Sequence, residues 1–227
     1  MGKPDIIYED NDIIVCYKPA GIATQTRRIG QQDMESFIRN YRAAKNEPPY
    51  VGIVHRLDQP VEGVMVFAKN QKAAASLSRQ IKEHTTEKYY RAASRGHGVS
   101  GAAVEDEEAW HTLTDYISFD KRTNTSKITS VKDKLAKKAV LQYRVISVTP
   151  DRGSPQNECI KTEFDIKLLT GRHHQIRLQL ANIGYPLIGD TKYGHTGGLA
   201  REQLALCSYK IAFDHPATGE RMTFELP

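Results

Sequence analysis

A chain of 227 residues, 39% hydrophobic and 26% charged, can bury a full core as one generous domain, and its ordinary composition excludes a low-complexity chain. No run approaches the ~18 apolar residues of a membrane span, and acids early in MGKPDIIYEDNDIIVCYKPAG exclude a signal peptide. Net charge of +5 and a pI near 9.0 decide nothing alone, but eight Lys or Arg and one acid, Asp133, fall between Lys121 and Arg144. Such a segment is ordinarily a solvated face, and the competing reading is contact with a polyanion such as nucleic acid. Cys16, Cys159 and Cys207 are odd in number, far apart and without CxxC or Cys/His ligand spacing. That points to a reducing, cytoplasmic setting with neither a disulfide framework nor a zinc site.

Taken in order, residues 5–17 hold two strand-like runs around a turn at Glu9-Asp10-Asn11-Asp12, and Lys18-Pro19-Ala20-Gly21 breaks the second. Met34, Phe37, Ile38 and Tyr41 share a face of a short helix over 33–44, which Asn46-Glu47-Pro48-Pro49 ends. Strand-like runs at 50–54 and 64–68 enclose His55-Arg56-Leu57-Asp58-Gln59-Pro60. Asn70 is an N-cap for a helix through about Glu83, with Ala73, Leu77 and Ile81 on its buried side. Tyr89–Ala93 reads as extended and 96–109 as a loop. Strands follow at 113–119, 126–131 and 139–148. Phe164, Ile166 and Leu168 alternate with Asp165 and Lys167 as in a half-buried strand. Ile176, Leu180 and Ile183 mark a helix stopped by Gly184 and Pro186, and 204–213 and 222–226 read as closing strands. Many strands with few short helices predict an α+β fold with a large antiparallel sheet.

Three clusters carry candidate chemistry. Asp58, in the gap between two apolar runs, is a nucleophile, a metal ligand or merely a partner for Arg56. No His/Asp/Glu set at ligand spacing supports the metal, and no G-x-S-x-G elbow supports a serine triad. Thr170-Gly171-Arg172-His173-His174-Gln175-Ile176-Arg177 places four cationic or potentially cationic side chains where a strand gives way to a helix, a setting that favours an anion. Glu87-Lys88-Tyr89-Tyr90-Arg91 sets two tyrosines among bases on an expected strand, so only one can face a given cleft. Tyrosines there are ordinarily core or sheet-surface residues, but aromatic faces beside cations also stack on splayed RNA bases.

HRLDQPVEGVMVFAK (55–69), KYYRA (88–92) and TGRHHQIRLQLANIGYPLIGDTKYG (170–194) together resemble the RluA family of RNA pseudouridine synthases in order and spacing. YEDNDIIVCYKPAGIATQ (8–25) and KKAVLQYRVI (137–146) resemble further segments of that family, with least support between 95 and 135. The resemblance implies a single catalytic domain over 1–227. Its fold would be a large mixed, mainly antiparallel sheet flanked by helices, with a central RNA-binding cleft. The implied reaction isomerises a uridine of structured RNA, ribosomal or transfer, to pseudouridine, without cofactor or metal. Asp58 would be the essential aspartate, attacking the ribose C1′ or the uracil C6 or assisting glycosidic cleavage. Arg177 would pair with it and keep it ionised. Tyr90 would stack on the target base and serve in the final proton transfer. Arg56 would fill the place of the flipped-out uridine. Arg172 and His174 would hold phosphate or position their loop, and Lys88 would join the RNA-binding set.

The chain departs from the family pattern at three places: Val61-Glu62 stands where Thr-Ser is usual, His173 where Thr is usual, and Gln179 where His is usual. Glu62 would repel Asp58 unless a cation intervenes. Since the signature begins by residue 5, the small N-terminal RNA-binding domain of many members is expected to be absent, which would give the basic 121–144 segment a role in RNA contact. The runner-up expectation is an RNA-binding or chaperone protein on the same fold with impaired catalysis. The expected state is a monomer.

Overall fold

Asp10 makes the first turn. Its Oδ1 accepts the backbone N–H groups of Asp12 and Ile13, folding β1 (Asp5–Glu9) back onto β2 (Ile13–Lys18) as an antiparallel pair. The structure, a computed structural model, describes residues 4–26, 28, 30–96, 109–150, 160–194 and 202–227. The chain forms two compact units, one comprising the residues up to Lys88 together with Ser208–Pro227, the other Tyr89–Cys207.

In the first unit, β2 pairs antiparallel with β4 (Glu62–Ala68), which also carries the two-residue β3 (Gly52–Ile53). β10 (Leu206–Asp214) lies beside β4 and pairs antiparallel with β11 (Arg221–Glu225). Two amphipathic helices belong to this unit. Asp33 caps α1 (Met34–Ala44) through a reciprocal capping box with Ser36, and Asn70 caps α2 (Gln71–Lys82) by accepting from the Ala73 N–H. Ala73 and Leu77 of α2 join Ile13, Val15, Val64, Val66, Ile211 and Phe213 in one buried cluster.

In the second unit, β5 (Glu87–Gly96), β9 (Ile160–Leu168), β8 (Lys137–Pro150), β6 (His111–Asp120) and β7 (Thr125–Thr129) follow one another as antiparallel neighbours. Phe164 at the centre of β9 meets Tyr143 and Tyr185 edge-on. Among the described residues of this unit the helix is α3 (Gln175–Asn182), followed by Gly184 at φ +89°, the stop expected from its sequence.

The mainly antiparallel α+β sheet with three helices among the described residues matches the expected class. Local details differ. On α1 the buried charged residue is Arg42, which donates to the carbonyls of Tyr50 and Lys69 and to Glu47. On α2, Gln80 is buried in the place expected for Ile81, because its amide both donates to the Asp214 carbonyl and accepts the Asp214 N–H. A polar side chain can enter a core when each of its polar atoms is met. Of the run 50–54 only Gly52 and Ile53 pair. The 96–109 loop lies outside the described residues except at its ends, and Cys159 lies outside them too.

Gly63, second residue of β4, has φ +137°, and a Cβ there would come within 2.3 Å of the Ser208 carbonyl oxygen. Only glycine combines that backbone with that approach. Gly63→Ala is therefore expected to cost about 1–3 kcal/mol or more from overpacking, with loss of folding as the extreme outcome. Gly219, at φ +74° with open space around it, is the control: alanine there costs only backbone strain. Urea midpoints for the two variants check the difference, and equal shifts would refute the steric account.

Candidate active site

Asp58 lies on the segment between β3 and β4, and this segment is fastened on both sides of the aspartate. On one side, the Thr24 hydroxyl donates to the Leu57 carbonyl at 2.9 Å and the Leu57 N–H reaches the same hydroxyl at 3.2 Å. On the other, the Gln59 carbonyl accepts from the Gly21 N–H, and the Gln59 amide donates back to the Gly21 carbonyl. The Val61 N–H closes a turn on the Asp58 carbonyl at 3.0 Å. Leu57 is buried, Asp58 is half-buried and Arg56 is exposed. A carboxylate is thus presented on rigid backbone next to an exposed guanidinium.

The residue behind this arrangement is Lys18. Its side chain is fully buried, and its ammonium donates to the carbonyls of Pro19 (3.1 Å), Ile22 (2.6 Å) and Gln59 (3.2 Å). Three donors meet three acceptors, so the cation is satisfied without a single direct carboxylate bond. Burial pulls its pKa down to about 8, while the charges of Asp58 and Glu62 oppose that fall. Lys18 is therefore the cation that the Val61-Glu62 departure needs. Val61 is packed inside, and the Glu62 carboxylate accepts from the Tyr17 hydroxyl at 2.9 Å. Where the family usually has two hydroxyls, this chain has an apolar plug and a carboxylate tied to its neighbouring strand.

His55, first residue of the motif, is structural. The Val66 N–H donates to its Nε2 at 3.1 Å, which fixes the neutral ring with its proton on Nδ1. Burial, helped by the charge of Lys88, holds its pKa down at about 3. Lys88 is half-buried, and burial lowers its pKa as well.

In the second unit, the β5 pleat separates the paired tyrosines. Tyr90 is buried and faces Ile166 in register, while Tyr89 lies under the Lys167 ammonium. The 170–177 segment is folded by Gln175, whose Oε1 accepts from the Thr170 hydroxyl and the Arg172 N–H. His174 adopts φ +54° immediately before α3, an uncommon conformation for a residue other than glycine. Its ring is buried and hydrogen-bonded to the Tyr193 hydroxyl at 2.9 Å. Burial first, then the charges of Arg177, His173 and Lys192, hold its pKa down at about 3. A neutral, enclosed His174 suits the loop-positioning alternative of its two expected roles. Arg172 is placed differently: its Nε donates to the Lys138 carbonyl from an exposed position.

Arg177 is 4% exposed, and Asp190 grips it through two bonds: Nε to Oδ2 at 2.8 Å and Nη2 to Oδ1 at 2.6 Å. Burial raises the Asp190 carboxyl, but Arg177 and the N–H groups of Lys192 and Tyr193 outweigh it and leave the pKa below the ordinary value. Asp190 and Tyr193 were visible in GDTKYG but had no expected role. Lys18 and Thr24 were missed for the same reason, since a buried lysine carries no signal in a sequence. Gln179, the third departure, is fully buried, donating to Asp115 and accepting from Gln175.

Among the described residues one group has metal-ligand spacing: Asp10, Asp12 and His215, outside the three candidate clusters in sequence. Its atoms are already engaged: Asp10 Oδ1 holds the β1–β2 turn and Asp12 Oδ1 accepts from the Asn70 amide. His215 Nδ1 accepts the Thr218 N–H, leaving Nε2 to donate to Asp10.

His55 and His174 fix the acid limit of the fold. Each has a folded pKa near 3 against 6.5 for an ordinary histidine, so below 6.5 the unfolded chain binds protons that the folded chain refuses. Unfolding free energy is expected to fall as pH drops from about 6.5, before the carboxylates begin to titrate. Denaturant titrations at several pH values between 7 and 5 read this; a flat profile would overturn it.

Comparison with known proteins agrees with these motifs. A family model described as RNA pseudouridylate synthase matches residues 12–182. The chain is 33% identical over its whole length to an uncharacterized RNA pseudouridine synthase, YhcT, of Bacillus subtilis (strain 168), of which it covers 69%. It is 32% identical over 98% of its length to ribosomal large subunit pseudouridine synthase D of Vibrio cholerae, covering 67% of that protein. Among solved structures, human RNA pseudouridylate synthase domain containing 1 matches 99% of this chain and 83% of its own, with 25% identity and a TM-score of 0.76. No helix among the described residues is long and apolar enough to cross a membrane. The chain belongs to the RNA pseudouridylate synthase family, and is an RNA-modifying isomerase.

Proposed function

We propose that this enzyme converts specific uridines of structured RNA to pseudouridine, with Asp58 as the nucleophilic carboxylate, Tyr90 and Arg177 completing the catalytic set, and no cofactor. The observation that carries the proposal is the fastening of the Asp58 segment. Thr24 holds Leu57, and Lys18 and Gly21 hold Gln59, so the backbone that presents the intervening carboxylate is held in place. The buried ammonium of Lys18 lies close enough to Asp58 and Glu62 for their charges to act on it, so a cation stands beside the candidate carboxylate. Arg56 is exposed two residues away, which supports its taking the position of a flipped-out base. Arg172, Lys88 and the loop set by His174 supply RNA contact. The substrate class we favour is ribosomal RNA, on the name of the Vibrio relative, with transfer RNA as the alternative.

Two measurements test this reading. Asp58→Asn should abolish pseudouridine formation in total cellular RNA while RNA binding largely survives; full turnover by the variant would exclude the nucleophile. Mapping pseudouridines in ribosomal and transfer RNA from cells with and without the gene should reveal missing sites. Identical maps would sink the assigned activity and favour a binding or chaperone role.

A further inference from the structure

His173 stands where the family pattern has a threonine, and the structure gives that change a consequence. The Phe119 ring, at the end of β6, packs on His173 with centroids 4.2 Å apart. His173 in turn stacks on His174 at 3.7 Å. His174 meets Tyr193 edge-on at 5.5 Å, and the Arg177 guanidinium lies over Tyr193 at 5.4 Å. The column is held from the side by Ser126. Its hydroxyl bonds both the His173 ring at 3.0 Å and the His173 carbonyl at 2.9 Å, and its N–H donates to the Tyr193 hydroxyl. A continuous run of rings thus leads from Arg177 to Phe119, which ends it 40% exposed.

A lone exposed phenylalanine would mean nothing. This one is backed by a ring that a threonine could not provide, and cations are carried on the turn that follows it and on segments tied to that turn or to His173. Lys121 and Arg122 are exposed on the turn that follows Phe119, and exposed Lys192 reaches across to the Asn124 carbonyl of the same turn. Arg172, next to His173 in sequence, is tied by its Nε to the Lys138 carbonyl. The nearby acids are engaged in local turns: Asp120 accepts the Arg122 N–H, and Asp133 accepts the Leu135 N–H and the Thr129 hydroxyl. An aromatic face beside several cations, whose neighbouring carboxylates are held in local turns, is the chemistry that holds an unpaired base and its phosphates.

We propose that Phe119, backed by His173, is a stacking platform for an unpaired base of the bound RNA other than the uridine being isomerised. Flanking phosphates lie on Lys121, Arg122, Arg172 and Lys192. The platform rests on the reading of the protein as an RNA-modifying enzyme and adds a contact made by this chain's own departure from its family.

The test uses the full chain with a labelled 12-nucleotide single-stranded RNA, the same strand annealed to its complement, and turnover of a modifiable RNA. Phe119→Ala should weaken single-strand binding by roughly 5- to 150-fold, the range of one lost base stack. His173→Thr should weaken it by a smaller factor, and Phe119→Tyr should restore it. Duplex binding should stay near wild type, because paired bases offer no free face, and the effect on turnover should appear in KM rather than in kcat. Phe119→Ala binding single strands within twofold of wild type would overturn the platform, as would an equal loss on the duplex. If the wild-type protein forms no pseudouridine while Phe119→Ala still loses single-strand binding, the enzymatic reading fails and the platform stands.

Discussion

The buried ammonium of Lys18 is the contact on which the arrangement around Asp58 depends. It ties the carbonyls of Pro19 and Ile22, on the segment leaving β2, to that of Gln59, beside the aspartate. Removing such a cation from water is costly, and three carbonyl acceptors with two nearby carboxylate charges offset the cost. The same group thus supplies mechanical fastening and positive charge beside the Asp58 segment. The Thr24 clamp on Leu57 completes the restraint from the other side.

The second unit solves a similar problem with an ion pair. Arg177 leaves α3 in a buried position where an uncompensated charge would be strongly unfavourable, and Asp190 compensates it in bidentate geometry. Asp190 also accepts the Lys192 and Tyr193 N–H groups, so one carboxylate orders both the arginine and the turn carrying Tyr193. Thr170, Gln175 and His174 shape the backbone that leads into α3. The motif TGRHHQIR is therefore largely a folding device around one buried cation.

The departures from the family pattern are accommodated locally. Val61 fills the core, Glu62 is held by Tyr17, Gln179 joins a buried amide network with Gln175 and Asp115, and His173 is stacked between Phe119 and His174. None of these leaves a described polar group stranded beside the motifs. The Gln179 and His173 replacements create contacts that the usual residues could not make in the same way.

The sequence by itself determined the order of elements, the capped helices at Asn70 and around residue 33, the mainly antiparallel class and the family. These rest on short-range signals: alternation along strands, apolar spacing on helices, turn residues and unbroken motifs. It also separated Tyr90 from Tyr89, since neighbouring residues on a strand must face opposite ways. Tertiary structure alone decided which polar residues went inside. Lys18, Arg42, Gln80 and Asp190 are buried because distant carbonyls, amides or a guanidinium arrive to meet them. Each of these residues has at least one partner 8 to 134 residues away along the chain, where local pattern gives little guidance. The reason is physical: burial of a polar group is governed by whether its partners are assembled in space, and only the folded chain assembles them.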